Sequence, residues 1–166
     1  MLTQTQTGAL LHEDHMATIE TLQRLEEFLG RHRSPPKLDA EAITFLRALS
    51  KTLRDEVESH FGFEETYLFP EFTQRGETGI VMMLTMEHRA ILPLAILVSQ
   101  LAAEAAETGA FAEQAWRDFR DNGVELVERE IFHVQKEEMG LLAAISALLD
   151  AEADARLAET YRATVG

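Results

Sequence analysis

Six side chains able to ligate a metal stand where apolar residues are expected. In HFGFEETYLFP, residues 60–70, apolar residues recur every three or four positions, and His60 and Glu64 lie on that apolar line. His133 and Glu137 repeat the spacing in HVQKEEMGL, residues 133–141, while His15 and His88 interrupt two further lines. Burial of an unpartnered polar group costs roughly 2–7 kcal/mol even when it is neutral, so all six require compensation. The i, i+4 spacing places His60 with Glu64, and His133 with Glu137, on one helix face a turn apart. Four imidazoles and two carboxylates in an apolar interior call for a cation of considerable charge. Two metals bridged by both carboxylates, each taking two imidazoles, satisfy the set better than one metal with six protein ligands. Mixed nitrogen and oxygen donors suit iron or manganese, and each metal keeps one or two positions open for water, an oxo bridge or a small ligand. Structural zinc would instead take four ligands in a tetrahedron.

The spacing between these residues is duplicated. A shift of 73 residues carries His15 onto His88, His60 onto His133, Glu64 onto Glu137 and Glu65 onto Glu138. Leu11/Leu84, Ala17/Ala90, Leu53/Leu126 and Leu68/Leu141 match under the same shift, and Asp14/Glu87 form a like pair. One helical hairpin used twice, its copies related by a pseudo-twofold axis, accounts for the match. A lone buried histidine is more often a core residue bonded to a carboxylate than a ligand. A duplicated set with two glutamates points the other way.

Four long helices must position these groups. RHRSPPKLD (31–39), QRGETG (74–79) and ETG (107–109) break the periodicity, and Asp39 is placed to cap the next helix. The segments between, at about 9–29, 39–73, 79–106 and 110–149, have helical periodicity, and none alternates as a strand would. Short connections predict an all-α, up-and-down antiparallel four-helix bundle over residues 9–150. A tail at 1–8 precedes it, and the segment 151–166 adds a short C-terminal helix or frays. Pro93 should kink the third helix about a turn past His88. The seams read Leu11, His15, Ile19, Leu22 and Leu25 or Leu29 in the first helix, and Leu46, Leu49, Leu53, Val57, His60, Glu64 and Tyr67 or Leu68 in the second. The third has Leu84, His88, Leu92, Ala95 and Val98, and the fourth Leu126, Glu130, His133, Glu137, Leu141 and Ala144. His15 and His88 lie early in their helices, His60 and His133 late, so antiparallel packing brings all four to one level.

Composition narrows the partners. Fifteen basic against 29 acidic residues leave a formal charge of −14, a field that repels nucleic acid and anionic membranes. The longest apolar runs, ILPLAILV (91–98) and GLLAAISALL (140–149), are shorter than the roughly 20 residues that span a bilayer. The absence of cysteine removes disulfides, thiolate catalysis and cysteine-held metal sites. The N-terminal MLTQTQTGALLHEDH has no basic region ahead of an apolar stretch, so a cytoplasmic location is expected.

The order His15 … His60-x-x-x-Glu64 … His88 … His133-x-x-x-Glu137 resembles the hemerythrin-like, or HHE cation-binding, family over about residues 9–150. The resemblance implies a four-helix bundle around two non-haem, carboxylate-bridged iron ions, with manganese or zinc as substitutes. It implies terminal imidazoles from His15, His60, His88 and His133 and bridging carboxylates from Glu64 and Glu137. Oxygen-carrying members have a fifth histidine one turn after the third-helix histidine and usually end on an aspartate; here Leu92 and Glu137 stand in those places. That departure weighs against reversible dioxygen carriage. The chain is more similar to the four-histidine branch, whose di-iron proteins are implicated in nitric oxide and oxidative stress and in iron–sulfur repair. The expected function is binding or reaction of a small ligand (O2, NO or H2O2) in stress response or iron homeostasis. A metal-dependent sensor or iron-handling module acting through a partner protein is the alternative.

Further residues carry readings of their own. His12 has Thr85 as its mate under the shift and is placed at the edge of the site, and His32 falls in the proline loop at the surface. Glu130 faces the seam, where it would hydrogen-bond an imidazole from behind the ligands. Glu65 and Glu138, turned about 100° from the ligands, are expected in solvent. Tyr67 lies one turn past Glu64, and its mate is Gly140. Its phenol would hydrogen-bond a metal's ligand, with space left opposite by Gly140; large-against-small packing is the plainer account. Met82, Met83 and Met86, with Phe61 and Phe69, are expected to fill the core.

Overall fold

Helix starts coincide with the capping residues. Thr5, Asp39 and Asp150 each accept, through a side-chain oxygen, the N–H three residues on, at 3.0, 2.8 and 2.8 Å. The computed structural model describes residues 4–165, and five helices with no strand make up the described residues. They are α1, Gln6–Arg31; α2, residues 40–74; α3, Gly79–Thr108; α4, residues 113–148; and α5, Ala151–Thr164. Gly109, at φ 81°, ends α3 in the left-handed conformation that glycine adopts without strain. The segment 151–166 is thus helical up to Thr164, with Gly166 outside the described residues. α1 begins within the stretch expected as a tail, because α5 supplies part of its cap: Asp154 accepts the N–H groups of Gln6 and Thr7, both at 2.9 Å. Residues 1–3 of that tail lie outside the described residues.

α1 to α4 form the bundle, with α2 against α3, α3 against α4 and α4 against α1, while α5 lies along α1. α3 continues through Pro93 as one helix. By length and composition α3 is long and apolar enough to cross a bilayer, which the shorter apolar runs did not suggest, yet it supplies His88 to the interior of the bundle.

Three wide turns interrupt α2 and α4. The N–H groups of Phe61, Phe69 and Leu142 bond the carbonyls of Glu56, Glu64 and Glu137, five residues back instead of four. Such π turns take up one extra residue and rotate the helix beyond them, and they concentrate at functional sites. Two of them open on the paired glutamates Glu64 and Glu137. Their effect on register is direct. Leu68 is fully buried, whereas Tyr67 is 40% exposed, and Ile145 is buried in place of the expected Ala144. Elsewhere Thr18 is buried where Ile19 was expected, and Ile91 turns inward while Leu92 faces out. Met82, Met83 and Met86 are exposed and do not fill the core; Leu84, His88 and Ile91 occupy the inner arc of α3 and leave them the outer one. Phe61 and Phe69 are buried as expected.

The apolar interior is split in two. One cluster gathers Leu22, Leu25, Leu46, Leu49, Trp116 and Phe119, and the other Leu11, Phe63, Phe72, Leu84, Leu141 and Leu157. The histidines and glutamates lie between these clusters.

Candidate metal centre

Each helix of the bundle delivers its part of the set from the inner face. His15 comes from α1, His60 and Glu64 from α2, His88 from α3, and His133 and Glu137 from α4, none of them more than 3% exposed. The structure brings all six together. Glu137 places Oε2 at 2.7 Å from His15 Nε2 and Oε1 at 2.8 Å from His133 Nε2. Glu64 places Oε1 at 3.0 Å from His60 Nε2 and Oε2 at 3.1 Å from His88 Nε2. Each carboxylate therefore spans two imidazole pairs with separate oxygens. The donor atoms sort into two groups, His15/His60 and His88/His133, each completed by Glu64 and Glu137, and within a group they all lie inside 4.8 Å of one another.

Short as these distances are, the contacts lack hydrogen-bond geometry. All four Nε2 atoms and all four carboxylate oxygens are buried without a hydrogen-bond partner. Their lone pairs converge on shared points instead of meeting donors. Eight orphaned acceptors in an apolar layer would be untenable without positive charge. The site fits a pair of cations. Two nitrogens and two oxygens per group match iron, manganese or zinc, and a six-coordinate metal would retain two positions for other ligands.

A second tier of carboxylates holds the imidazoles from outside. Nδ1 of His15 pairs with Glu138 at 2.6 Å, His60 with Asp14 at 3.1 Å, His88 with Glu65 at 3.1 Å and His133 with Glu87 at 2.8 Å. A proton assigned to Nδ1 in each of these bonds leaves the Nε2 lone pair facing inward and raises its basicity. Glu65 and Glu138 are thus ring-holding groups, contrary to the expectation that they are merely solvated. They reach across to histidines on neighbouring helices, a contact that the periodicity of their own helix does not encode. The signal was present in the 73-residue shift, which pairs Glu65 with Glu138 and Asp14 with Glu87. His12, half-exposed at the edge, bonds the other oxygen of Glu138 at 2.7 Å. Lys136 donates to Glu87, and the Tyr161 hydroxyl donates to Asp14.

Other expectations resolve differently. Glu130 is buried but bonds no imidazole, since His133 Nδ1 is taken by Glu87. It faces Glu56 across a void of about 10 Å³, where Thr18 Oγ1 donates to Glu56 at 3.0 Å. Burial, and then the charge of Glu56, push the Glu130 carboxyl well above the ordinary range. Tyr67 stands outside the site, its ring 6.0 Å from that of Phe63. A side chain at Gly140 would meet Ile80 at 3.5 Å, an ordinary packing contact. His32 is half-buried, edge-on to Trp116, and not simply at the surface.

Charge coupling inside the site is strong. Burial works against a charged ring, yet Glu137 and Glu64 raise His88 to about 9, and Glu137 with Glu87 raises His133 to about 11. His15 and His60 are raised against the same opposition, chiefly by Glu137 for the first and by Glu56 and Glu64 for the second. Glu137 lies well below the ordinary carboxylate range despite its burial, held there mainly by His133 and His15. Protons on the rings and metal ions among them are alternative sources of positive charge. Phe61 stacks on His88 at 3.8 Å and shields that side from water.

An antiparallel bundle enclosing buried histidines and glutamates able to hold a metal defines a cation-binding protein. The hemerythrin HHE cation-binding domain matches residues 7–145, and the chain belongs to that family, whose members bind metal ions, typically iron. No curated protein matches the chain.

Proposed function

We propose that this is a non-haem di-iron protein. His15 and His60 would hold one iron and His88 and His133 the other, with Glu64 and Glu137 available to both. The observation that supports this reading is the pair of overlapping donor groups with eight inward-facing acceptor atoms and no donor among them. When bound, the iron pair supplies redox chemistry and positions for a small ligand, O2, NO or H2O2. The chain contributes orientation through the four outer carboxylates and a dry apolar layer on each side. The net charge of −14 and the absence of cysteine favour a small-molecule partner over nucleic acid and a cytoplasmic role in oxidative or nitrosative stress or iron homeostasis.

A second reading, a sensor or iron-handling module working through a partner protein, draws on one feature. α5 lies beyond the matched segment and bonds an outer carboxylate of the site. Iron-loaded protein, prepared without oxygen, tests both. About two irons per chain, with optical and Mössbauer spectra that change on NO addition and turnover of peroxide, are expected for the first. Stoichiometric binding without turnover favours the second, and fewer than about one metal per chain overturns both.

A further inference from the structure

α5 is held to the bundle by contacts of two kinds. Ala153, Leu157, Ala158 and Tyr161 are buried, and Asp154 and Arg156 make polar anchors to the start of α1 and to Glu71. These account for docking. The Tyr161 hydroxyl does something else. A phenylalanine would pack the same ring edge-on against Phe63, at 5.1 Å between centroids, without bringing a hydroxyl that must be bonded when buried. That hydroxyl donates to Asp14 Oδ2, the same oxygen that accepts from His60 Nδ1.

This breaks the pseudo-twofold symmetry at one imidazole. Asp14 and Glu87 are repeat mates, and each orients the late histidine of its half. Glu87 is backed by Lys136, a half-exposed residue of α4, the helix that also carries His133. Asp14 is backed by a buried phenol from a helix that belongs to neither repeat. The Asp14 side chain is itself one-third exposed, so Tyr161 is what pins its carboxylate against rotation. A pinned carboxylate fixes the plane of the His60 ring and hence the aim of Nε2.

We propose that Tyr161 is a positioning residue of the metal centre. Acting through Asp14 on His60, it makes the metal position of His15 and His60 dependent on α5 and unequal to that of His88 and His133. The inference rests on the two-metal reading proposed for this chain. By linkage, metal at the His15/His60 position favours α5 docked, and docked α5 favours metal there.

The test is stepwise Co2+ and anaerobic Fe2+ binding to the full chain, wild type against Tyr161→Phe, with Mössbauer spectra of the iron forms. Both proteins should saturate at about two metals, with one affinity reduced about 10–100-fold in the variant and the other nearly unchanged. One of two quadrupole doublets should shift, while the melting temperature of the metal-free protein stays close to wild type. Asp14→Asn should reproduce the one-site loss, and the double variant should be no worse than Asp14→Asn alone. Equal affinities and spectra in wild type and variant overturn the proposal. So does a parallel fall in both affinities, which is what a purely structural role would produce. Wild-type stoichiometry reads the two-metal assignment separately: a wild type that binds no metal sinks both.

Discussion

Glu137 faces both halves of the site, with one oxygen toward His15 and the other toward His133. Glu137→Ala should therefore strip both metal positions, leaving well under one metal per chain, whereas His15→Ala should leave about one. Metal analysis after dialysis distinguishes the two. The same residues govern the behaviour of the metal-free chain with pH. His88 and His133 are raised to about 9 and about 11 in the fold, against about 6.5 when unfolded. The folded state thus binds more protons, so their stabilising contribution is complete below about pH 6.5 and is lost as pH rises through about 9 and on toward 11. Chelated protein should melt at a lower temperature at about pH 9.5 than at about pH 6.5. Metal loading near neutrality should release protons, read by calorimetry as a heat that varies with the ionisation enthalpy of the buffer.

At the level of elements, the wide turns and the fifth helix change what the periodicity implies. A regular helix through residues 64–68 keeps Tyr67 on the seam; the i→i+5 bond from Phe69 to Glu64 turns Leu68 inward instead. The start of α1 likewise depends on another element. Asp154 satisfies two N–H groups that α1 itself leaves unpaired. Asp154→Ala should cost about 1–3 kcal/mol in urea unfolding. It should speed amide exchange at Gln6 and Thr7 and leave the metal count at about two, because the six inner residues lie deeper in the bundle. A loss of metal with this variant would mean that the end of α1 and the site are one cooperative unit.

For the whole molecule, the layer of histidines and glutamates is the join between two apolar clusters, so metal occupancy should be felt globally. Metal held at about 100 times its dissociation constant adds about 2.7 kcal/mol to stability. For a domain of this size that raises the melting midpoint by roughly 5–11 °C. A thermal melt with and without chelator checks it, and an unchanged midpoint would mean that no cation sits between the clusters. Much of this organisation is legible along the chain. Helical periodicity, breakers at 31–39, 74–79 and 107–109, and the 73-residue duplication are properties of residues near one another or in register, so the four-helix bundle and its six converging side chains can be read from the sequence by itself. The 3.6-residue period says which face of a helix is inside, but not how far one helix is rotated against the next or where a wide turn resets the phase. Only the packed bundle decided that Glu65 and Glu138 reach across to hold His88 and His15, and that Tyr67 leaves the site. It likewise decided that Tyr161, 101 residues after His60 in the chain, stands behind that imidazole through Asp14. Those contacts are set by distances between helices, which no spacing within a helix records.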